Sequence, residues 1–277
     1  MKKFYFLVLA AMLYAASMQA QDSYLDTAGG FVATDVVADQ DMFSCFDVYD
    51  NRLYGNDGNS IKIFDLESEA QIAAFATPAD YNAYPSFIKV SANGNEVWAG
   101  FTVYQNTDDR IYRYDLTAGE WHQEAILAGN FDLEFFNNQL LVSALGDSAE
   151  NQIFILDTSS MQQHRPVIST GGNSSGFTID DQGNLYYTTY FFSGDNCLVS
   201  WNKQDVVNVL QDTSANALSM QHSDTLTMFT GGGADVDIDI EGVLAFAYND
   251  YSAGKVLAKW NGQMGPDMNY DTIALAS

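Results

Sequence analysis

Tyrosines and acidic residues recur in the polar segments between the apolar stretches of this 277-residue chain. Aromatic rings offer apolar faces, and carboxylates offer acceptors for hydroxyl groups. Together they suit a carbohydrate-like or other polyhydroxylated ligand. Asp and Tyr are also ordinary loop residues, so the alternative is that these segments bind nothing. The predicted ligand-binding residues are Tyr81, Tyr84, Tyr104, Asp108, Tyr190, Asp195, Asp250 and Tyr251.

The segment from Asp235 to Glu241 alternates strictly between carboxylates and apolar residues. In an extended chain these carboxylates share one face. Like charges packed together need neutralising by basic residues or by a hard cation such as calcium. The spacing is not that of an EF-hand, because Ile240 stands where that loop requires glycine. Asp235, Asp237 and Asp239 are the predicted calcium ligands, and a half-solvated strand end is the alternative.

The segment from Gly172 to Gly176 matches the G-x-S-x-G pattern of serine nucleophiles. That pattern works where the serine lies between a strand and a helix, whereas Phe177 to Ile179 reads as another strand. We interpret the segment as a tight turn between repeats. The three histidines fall in unrelated positions, so neither a histidine metal cluster nor a Ser-His-Asp set is predicted. No catalytic residue is assigned.

A short unit that recurs along the chain carries these residues. Its first copy, Phe46 to Leu66, combines strand-forming aromatic and β-branched residues with Asp, Asn and Gly turns. With Gln71 to Phe75 as an outermost strand, it predicts a four-stranded antiparallel meander. Four more copies follow, and the third strand of each copy ends before an Asp or Asn. These positions are Asp65, Asp115, Asp157, Asn202 and Asn261.

The Asp and Asn positions are 50, 42, 45 and 59 residues apart, which is the period of propeller blades. One meander cannot bury both of its faces, so the copies must stack. Helical periodicity is limited to Gln204 to Leu210, which predicts one or two turns. The sequence predicts an all-β fold, a β-propeller of five recognisable four-stranded blades, with a sixth left open. A β-sandwich is the competing architecture, but it needs no recurrence of register.

In a propeller, the loops between second and third strands open on the same face as the loops between blades. The tyrosines and carboxylates named above are therefore expected to converge on that face. First strands line the central channel, and the Asp235 segment would belong to one of them. Hydroxyl-binding loops and an acidic channel strand are thus two separate candidate sites.

The pattern of a turn, Leu-Tyr, a loop and Ile-Tyr-x-Tyr-Asp-Leu resembles the secreted propeller proteins of the NHL and YncE-like kind, from Phe46 to Asn261. Such families include binding proteins, lactonases and proteins with no known chemistry, so the resemblance implies architecture more than activity. The favoured function is an exported, non-catalytic binding or interaction propeller whose partner is a small molecule, glycan or protein. The alternative is a calcium-dependent hydrolase of the lactonase type, with Asp235, Asp237 and Asp239 among its ligands.

Met1 to Ala20 has the parts of a cleaved secretory signal: Lys2 and Lys3, an apolar run and small exit residues. This predicts a signal peptide at residues 1–20, a propeller domain at residues 21–277, and export to the periplasm or the extracellular space. A membrane anchor would need a longer apolar span. The net charge of −25 argues against nucleic acid and anionic lipid as partners. We expect a monomer that does not insert into membranes.

Two questions of connection stay open at this point. Cys45 and Cys197 are the only cysteines. Export permits a disulfide, but their unlike repeat positions make two separate buried thiols the alternative. Phe31 to Val37 and Asp271 to Ala276 also compete for the outermost strand of the fifth blade. If the carboxyl-terminal segment takes that place, the other belongs to a further blade that the chain does not finish.

Overall fold

The protein is a β-propeller of five four-stranded blades. A computed structural model describes residues 25–27, 45–78, 84–103, 108–146, 149–192, 195–238, 242–265 and 267–276. The chain forms two compact units, the three-blade unit of residues 35–169 and the two-blade unit of residues 1–34 with 170–277. The predicted all-β propeller of five blades is confirmed, and the described ranges contain no sixth blade.

Strands are numbered along the chain, and β1 (Leu25–Thr27) belongs to the two-blade unit. The three-blade unit holds three antiparallel meanders whose strands are paired in chain order. Its strands are β2 (Cys45–Tyr49), β3 (Arg52–Asn56), β4 (Ser60–Asp65) and β5 (Gln71–Ala76); β6 (Tyr84–Val90), β7 (Glu96–Thr102), β8 (Arg110–Asp115) and β9 (Glu120–Ile126); and β10 (Asp132–Phe136), β11 (Gln139–Leu145), β12 (Asn151–Ile155) and β13 (Arg165–Ser169).

The two-blade unit contains the fourth and fifth blades. The fourth blade is β14 (Phe177–Ile179), β15 (Leu185–Thr188), β16 (Asn196–Trp201) and β18 (Asp224–Phe229). Between its last two strands lie α1 (Lys203–Gln211), the short β17 (Leu218–Ser219) and a 3-10 turn, Met220–His222. The fifth blade is β19 (Gly232–Ile238), β20 (Leu244–Asp250), β21 (Gly254–Trp260) and β22 (Tyr270–Ala276). In the described part of the chain, no helix has the length and hydrophobicity to cross a membrane.

Tight hairpins join first to second strands at residues with positive φ. Asp50 and Asn51 have φ values of 48° and 58°, and Asn137 and Asn138 have values of 50° and 62°. Paired left-handed residues form the turn whose twist matches that of the flanking strands, and Asp and Asn tolerate this conformation well. These short sequences therefore set the hairpins and their registers.

The Asp or Asn that marks each repeat opens the turn after the third strand. Asp65 Oδ1 accepts the N–H groups two and three residues later at 3.1 and 2.8 Å, and Asp115 Oδ1 does the same at 2.7 and 2.9 Å. These backbone hydrogen bonds favour the ionised form and hold the pKa of both carboxyls below the usual value. Asn202 plays the equivalent part by capping α1, accepting the Asp205 N–H at 3.1 Å. The repeat signature is thus a turn-forming device.

In every blade the register shifts where the third strand pairs with the fourth, and the extra residue lies on the fourth strand. The shifts lie between Ile63 and Phe64, Ile111 and Tyr112, Ile153 and Phe154, Leu198 and Val199, and Leu257 and Ala258. Such bulges bend a strand and increase its local twist. Their recurrence shows that the five blades repeat one structural unit down to its irregularity.

Apolar side chains of neighbouring blades pack together within each unit. In the three-blade unit, Tyr54 of the first blade is buried with Val97 of the second. In the two-blade unit, Leu198 and Phe229 of the fourth blade are buried with Phe246 of the fifth. Burying a large apolar side chain stabilises a fold by about 1.5–3 kcal/mol. Contacts between blades are therefore a main source of stability inside each unit.

The carboxyl-terminal strand completes the fifth blade. β22 pairs with β21, so of the two assignments that the sequence left open, the structure shows Asp271 to Ala276 as the outermost strand. β1 pairs antiparallel with the other edge of β22 and adds a short fifth strand. Phe31 to Val37 lies outside the described residues. β1 therefore extends this sheet and does not supply its fourth strand.

Both cysteines are free thiols. Cys45 begins β2, and Cys197 is the second residue of β16. Burial raises the pKa of each thiol above its usual value. Of the two alternatives left open by the sequence, the structure shows two separate, partly buried thiols and no disulfide.

Candidate ligand-binding site

The structure brings three of the predicted ligand-binding residues together in the two-blade unit. Tyr190 follows β15, Asp250 ends β20, and Tyr251 comes directly after it. Tyr84 and Asp108 belong to the three-blade unit. Tyr81 and Tyr104 lie outside the described residues. The site that can be built residue by residue is therefore the one around Tyr190.

We call this site the Tyr190 face, made of Tyr190, Phe191, Phe192 and Tyr251 beside the glycine turn at residues 231–233. Phe192 is 80% exposed and Tyr251 is 63% exposed. The rings of Tyr190 and Phe192 lie 5.6 Å apart at 57°. Tyr251 donates its hydroxyl to the Phe191 carbonyl at 3.5 Å. Large aromatic surfaces thus remain open to solvent at a place where two loops meet.

Two glycines allow the loops to approach each other. A Cβ on Gly232 would lie 2.4 Å from Cε2 of Tyr190, so this ring rests directly on the Gly232 backbone. Gly231 has φ of 112°, and a Cβ there would lie 2.0 Å from the Asn249 carbonyl oxygen. Glycine is the residue that permits both this φ and this contact. Burial raises the pKa of the Tyr190 phenol, and the nearby Tyr251 hydroxyl adds to the effect.

Asn196, the first residue of β16, fastens the aromatic loop to the glycine turn. Its side chain is fully buried. Its Oδ1 accepts the Phe191 N–H at 2.7 Å and the Thr189 hydroxyl at 3.1 Å. Its Nδ2 donates to the carbonyls of Phe191, at 3.2 Å, and of Gly231. One buried amide therefore makes hydrogen bonds both to the loop after β15 in the fourth blade and to the connection that leads into the fifth blade.

Asp250 holds the turn that presents Tyr251. Its carboxylate accepts the Thr230 hydroxyl at 2.6 Å, and the Ser252 hydroxyl and N–H at 2.7 Å each. It also accepts the Ala253 N–H at 2.8 Å. The Thr230 hydrogen bond is the largest cause of a pKa lowered to about 2. Its hydrogen bonds lie within the loops, so the structure gives Asp250 a positioning part in this site.

The other predicted residues have simpler surroundings. Asp195 is exposed and precedes β16. Tyr84 is the first residue of β6, is 69% exposed, and pairs with Thr102 on β7. Asp108 accepts from Arg110 Nη2 at 2.8 Å. The three-blade unit therefore offers one exposed ring and one ion-paired carboxylate among the predicted residues that are described.

Asp109 occupies in the second blade the place that Asn196 has in the fourth. It is 3% exposed, and its two oxygens accept the N–H groups of Val103 at 2.6 Å and Gly129 at 2.7 Å. Burial raises its pKa above the usual value, against the effect of these hydrogen bonds. An ionised carboxylate can only accept hydrogen bonds, so Asp109 suits two N–H donors. The amide of Asn196 can also donate, and it donates to the Gly231 carbonyl.

From the sequence, Asp109 and Asn196 were grouped with the polar loop residues that could face a ligand, and their burial was not predicted, although a signal for it exists. Asp109 and Asn196 each stand two positions before an apolar residue of the third strand, Ile111 and Leu198. Asn151 has the same spacing, is fully buried, and accepts the Ser143 hydroxyl at 3.2 Å. Alignment of the third strands would have found this second recurring Asp or Asn.

The acidic strand β19 carries the predicted metal ligands Asp235 and Asp237, and Asp239 lies outside the described residues. Asp235 is partly exposed and Asp237 is exposed, while Val236 between them is buried. The predicted alternation of faces is confirmed for these three residues. Each carboxylate accepts the N–H of the next residue, at 2.8 and 2.7 Å. Within the described ranges, no group of three or more His, Cys, Asp or Glu side chains is placed to hold a metal ion.

The segment from Gly172 to Gly176 is a turn that leads directly into the strand β14. Ser175 is fully buried, and its hydroxyl lies 2.8 Å from that of Thr188. The following element is a strand, as the sequence predicted, so the nucleophile motif lacks its helix.

No protein-family model and no curated protein matches this chain. Solved structures do match it. The PQQ-bound aldose sugar dehydrogenase of Streptomyces coelicolor has a TM-score of 0.59 at 13% identity, over 92% of this chain and 86% of that one. The gluconolactonase XC5397 of Xanthomonas campestris has a TM-score of 0.52 at 14% identity, over 82% and 69%. A chain of the nidogen–laminin complex has 0.52 at 16%, over 74% and 71%. These similarities establish the β-propeller fold.

Proposed function

We propose that this propeller is an exported, non-catalytic binding protein whose Tyr190 face recognises a glycan or another polyhydroxylated ligand. The observation that carries the proposal is the open aromatic surface of Phe192 and Tyr251 beside the half-buried Tyr190. Aromatic rings stack on the apolar faces of sugars, and phenol and amide groups exchange hydrogen bonds with hydroxyls.

Preorganisation supports a binding role for this face. Asn196 links the loop of Phe191 to Gly231 in the glycine turn. Asp250 links the turn that presents Tyr251 to Thr230, the residue before the glycine turn. Loops that are already ordered lose little conformational entropy when a ligand binds. Structurally similar proteins include two sugar enzymes and a chain of a protein complex. The same architecture therefore serves sugar substrates in some proteins and protein partners in others. A protein ligand that bears glycans is compatible with the proposal.

Export is part of the same proposal. The basic, apolar and small-residue order of residues 1–20 supports a cleaved signal peptide, and the NHL and YncE-like resemblance supports a secreted propeller. Amino-terminal sequencing of the protein from a bacterial culture tests this directly. A mature chain beginning at or near Gln21 in the periplasm or medium supports export, and an intact Met1 in the cytoplasm contradicts it.

A glycan array tests the binding proposal. We expect the mature protein to bind a subset of saccharides, and Tyr190→Ala and Tyr251→Ala to weaken that binding by at least about tenfold, because each removes a stacking surface. Met264→Ala is the matched control, since Met264 is 58% exposed in the same unit but outside the Tyr190 face. Binding that survives both tyrosine substitutions would place the ligand elsewhere, and no binding to any saccharide would refute the glycan class.

The second candidate is the calcium-dependent hydrolase. It is favoured by the two carboxylates that β19 presents on one face, Asp235 and Asp237. Calcium takes six to eight oxygen ligands, so other blades would have to contribute. Isothermal calorimetry with calcium tests it. Submillimolar binding that is lost in Asp235→Asn but kept in Asp181→Asn, an exposed carboxylate of the same unit, supports the metal site. Absence of calcium binding removes this mechanism.

A further inference from the structure

Carboxylates outnumber cations around the Tyr190 face. Between residues 170 and 277 the chain has thirteen Asp or Glu residues, three lysines and no arginine. Asp195 is exposed and ends the loop that carries the aromatic rings of this face. Asn196, the next residue, binds the Phe191 backbone at both its N–H and its carbonyl. The Asp195 carboxylate therefore belongs to the same short loop as the rings.

A second carboxylate, that of Asp250, lies where the glycine turn meets the loop of Tyr251. A Cβ on Gly231 would be 2.9 Å from the Asp250 Cα. A Cβ on Gly232, the next residue, would be 2.4 Å from the Tyr190 ring. Asp250 and this ring therefore contact consecutive residues of one turn. The hydrogen bonds that Asp250 accepts stabilise its ionised form, so the carboxylate is negatively charged at neutral pH.

The three lysines of this part of the chain are placed away from the aromatic rings. Lys255 and Lys259 alternate along β21 with Val256 and Ala258, which pack against the fourth blade. Successive side chains of a strand project to opposite sides, so both lysines project from the other face of the fifth blade. Lys203 begins α1, so the length of β16 separates it from the aromatic loop. Among the described residues of the two-blade unit, the charged groups next to the rings are therefore carboxylates.

Open aromatic rings beside ionised carboxylates provide the two contacts that an ammonium group favours. A cation over the face of a ring is attracted by the ring quadrupole, and a carboxylate accepts its N–H groups. Phe192 and Tyr251 supply the open rings, being 80% and 63% exposed. We infer that the Tyr190 face recognises an amino sugar with free amines, a glucosamine-type oligosaccharide, whose ammonium groups contact these rings and the carboxylates of Asp195 and Asp250. This inference rests on the proposed function and narrows its ligand class.

The test compares two tetrasaccharides that differ only in acetylation of the amine, the glucosamine tetramer and the N-acetylglucosamine tetramer. Calorimetry with the mature protein at mildly acidic pH measures both affinities. We expect the cationic tetramer to bind about tenfold more tightly at low salt, as one cation–π contact and one ion pair provide. High salt should reduce this preference, because it screens the attraction between the ammonium groups and the carboxylates. Asp195→Asn and Tyr251→Leu should each lower the preference about threefold, since one removes a charge and the other an aromatic face.

Asp224→Asn is the matched control. Asp224 is exposed in the same blade as Asp195, but it pairs with Ser200 at the other end of the sheet. This substitution should leave the preference unchanged. A lysine tetrapeptide serves as a third probe, and we expect it to bind more weakly than the glucosamine tetramer. Binding of the peptide as tight as that of the glucosamine tetramer overturns the inference, because charge alone then explains the affinity.

The remaining outcomes separate the inference from the proposed function. Equal or tighter binding of the acetylated tetramer, or a preference that neither Asp195→Asn nor Tyr251→Leu changes, overturns the inference while the proposed function stands. The same holds if neither tetramer binds but another saccharide of the array does. If no saccharide binds the unsubstituted protein, the proposed function fails and the inference fails with it.

Discussion

Replacing Asn196 by alanine removes the buried amide that joins the fourth and fifth blades at the Tyr190 face. The side chain is fully buried and makes four hydrogen bonds, two accepted and two donated. Each such bond contributes about 0.5–1.5 kcal/mol, and a buried group left unpaired costs about 1–3 kcal/mol. These effects are not additive within one network, so we expect a loss of about 3 kcal/mol in the free energy of unfolding.

For a domain of this size that loss corresponds to a melting temperature lower by roughly 6–12 °C. Urea unfolding followed by tryptophan fluorescence measures the free energy, and calorimetry measures the temperature. Asn208→Ala is the matched control, because Asn208 is exposed on α1 and its replacement should change stability by less than about 0.5 kcal/mol. A change equally small in Asn196→Ala would refute the view that this amide holds the two loops together.

Three further predictions follow from the same structure. The pKa of Asp250 is lowered to about 2, below the usual value of about 3.9, so its contribution to stability is complete above that usual value and is lost as the pH falls toward 2. Asp250→Asn should therefore flatten the acid side of the stability profile in circular dichroism titrations, and an unchanged profile would contradict this. Gly231→Ala should destabilise the protein much more than Gly262→Ala in thermal melts: both have positive φ, but only at Gly231 does a Cβ meet backbone, at 2.0 Å. Equal losses of thermal stability in the two variants would show that backbone strain at positive φ, and not the contact of the Cβ with backbone, determines the destabilisation. Thiol titration without reductant should find slow reaction of native Cys45 and Cys197 and two thiols after denaturation, whereas no thiol in the unfolded chain would reveal a disulfide.

The repeats could be predicted from sequence because their determinants are local. Asp50-Asn51 and Asn137-Asn138 form hairpin turns from their own backbone preferences, and Asp65 and Asp115 fold back on N–H groups two or three residues away. Local hydrogen bonds of this kind need no tertiary context. Blade number and the antiparallel meander followed from these turns and from the alternation of apolar residues.

The candidate site was only partly predictable, because its geometry depends on contacts between distant residues. Tyr190 and Tyr251 were chosen for their residue types, yet the ring of Tyr190 owes its place to Gly232, 42 positions later. Asn196 meets Gly231 across 35 residues. Such pairings follow from how blades stack, which no local preference encodes.

What the sequence by itself determined is therefore the repeating blade, since a turn residue and an alternating strand act through their immediate neighbours. What only the tertiary structure decided is the chemistry of the face. Asp250 positions the turn of Tyr251 because its carboxylate accepts a hydrogen bond from Thr230, 20 residues away in the sequence. The Tyr190 ring gained its place only because Gly232, which has no Cβ, lets the ring lie directly on its backbone.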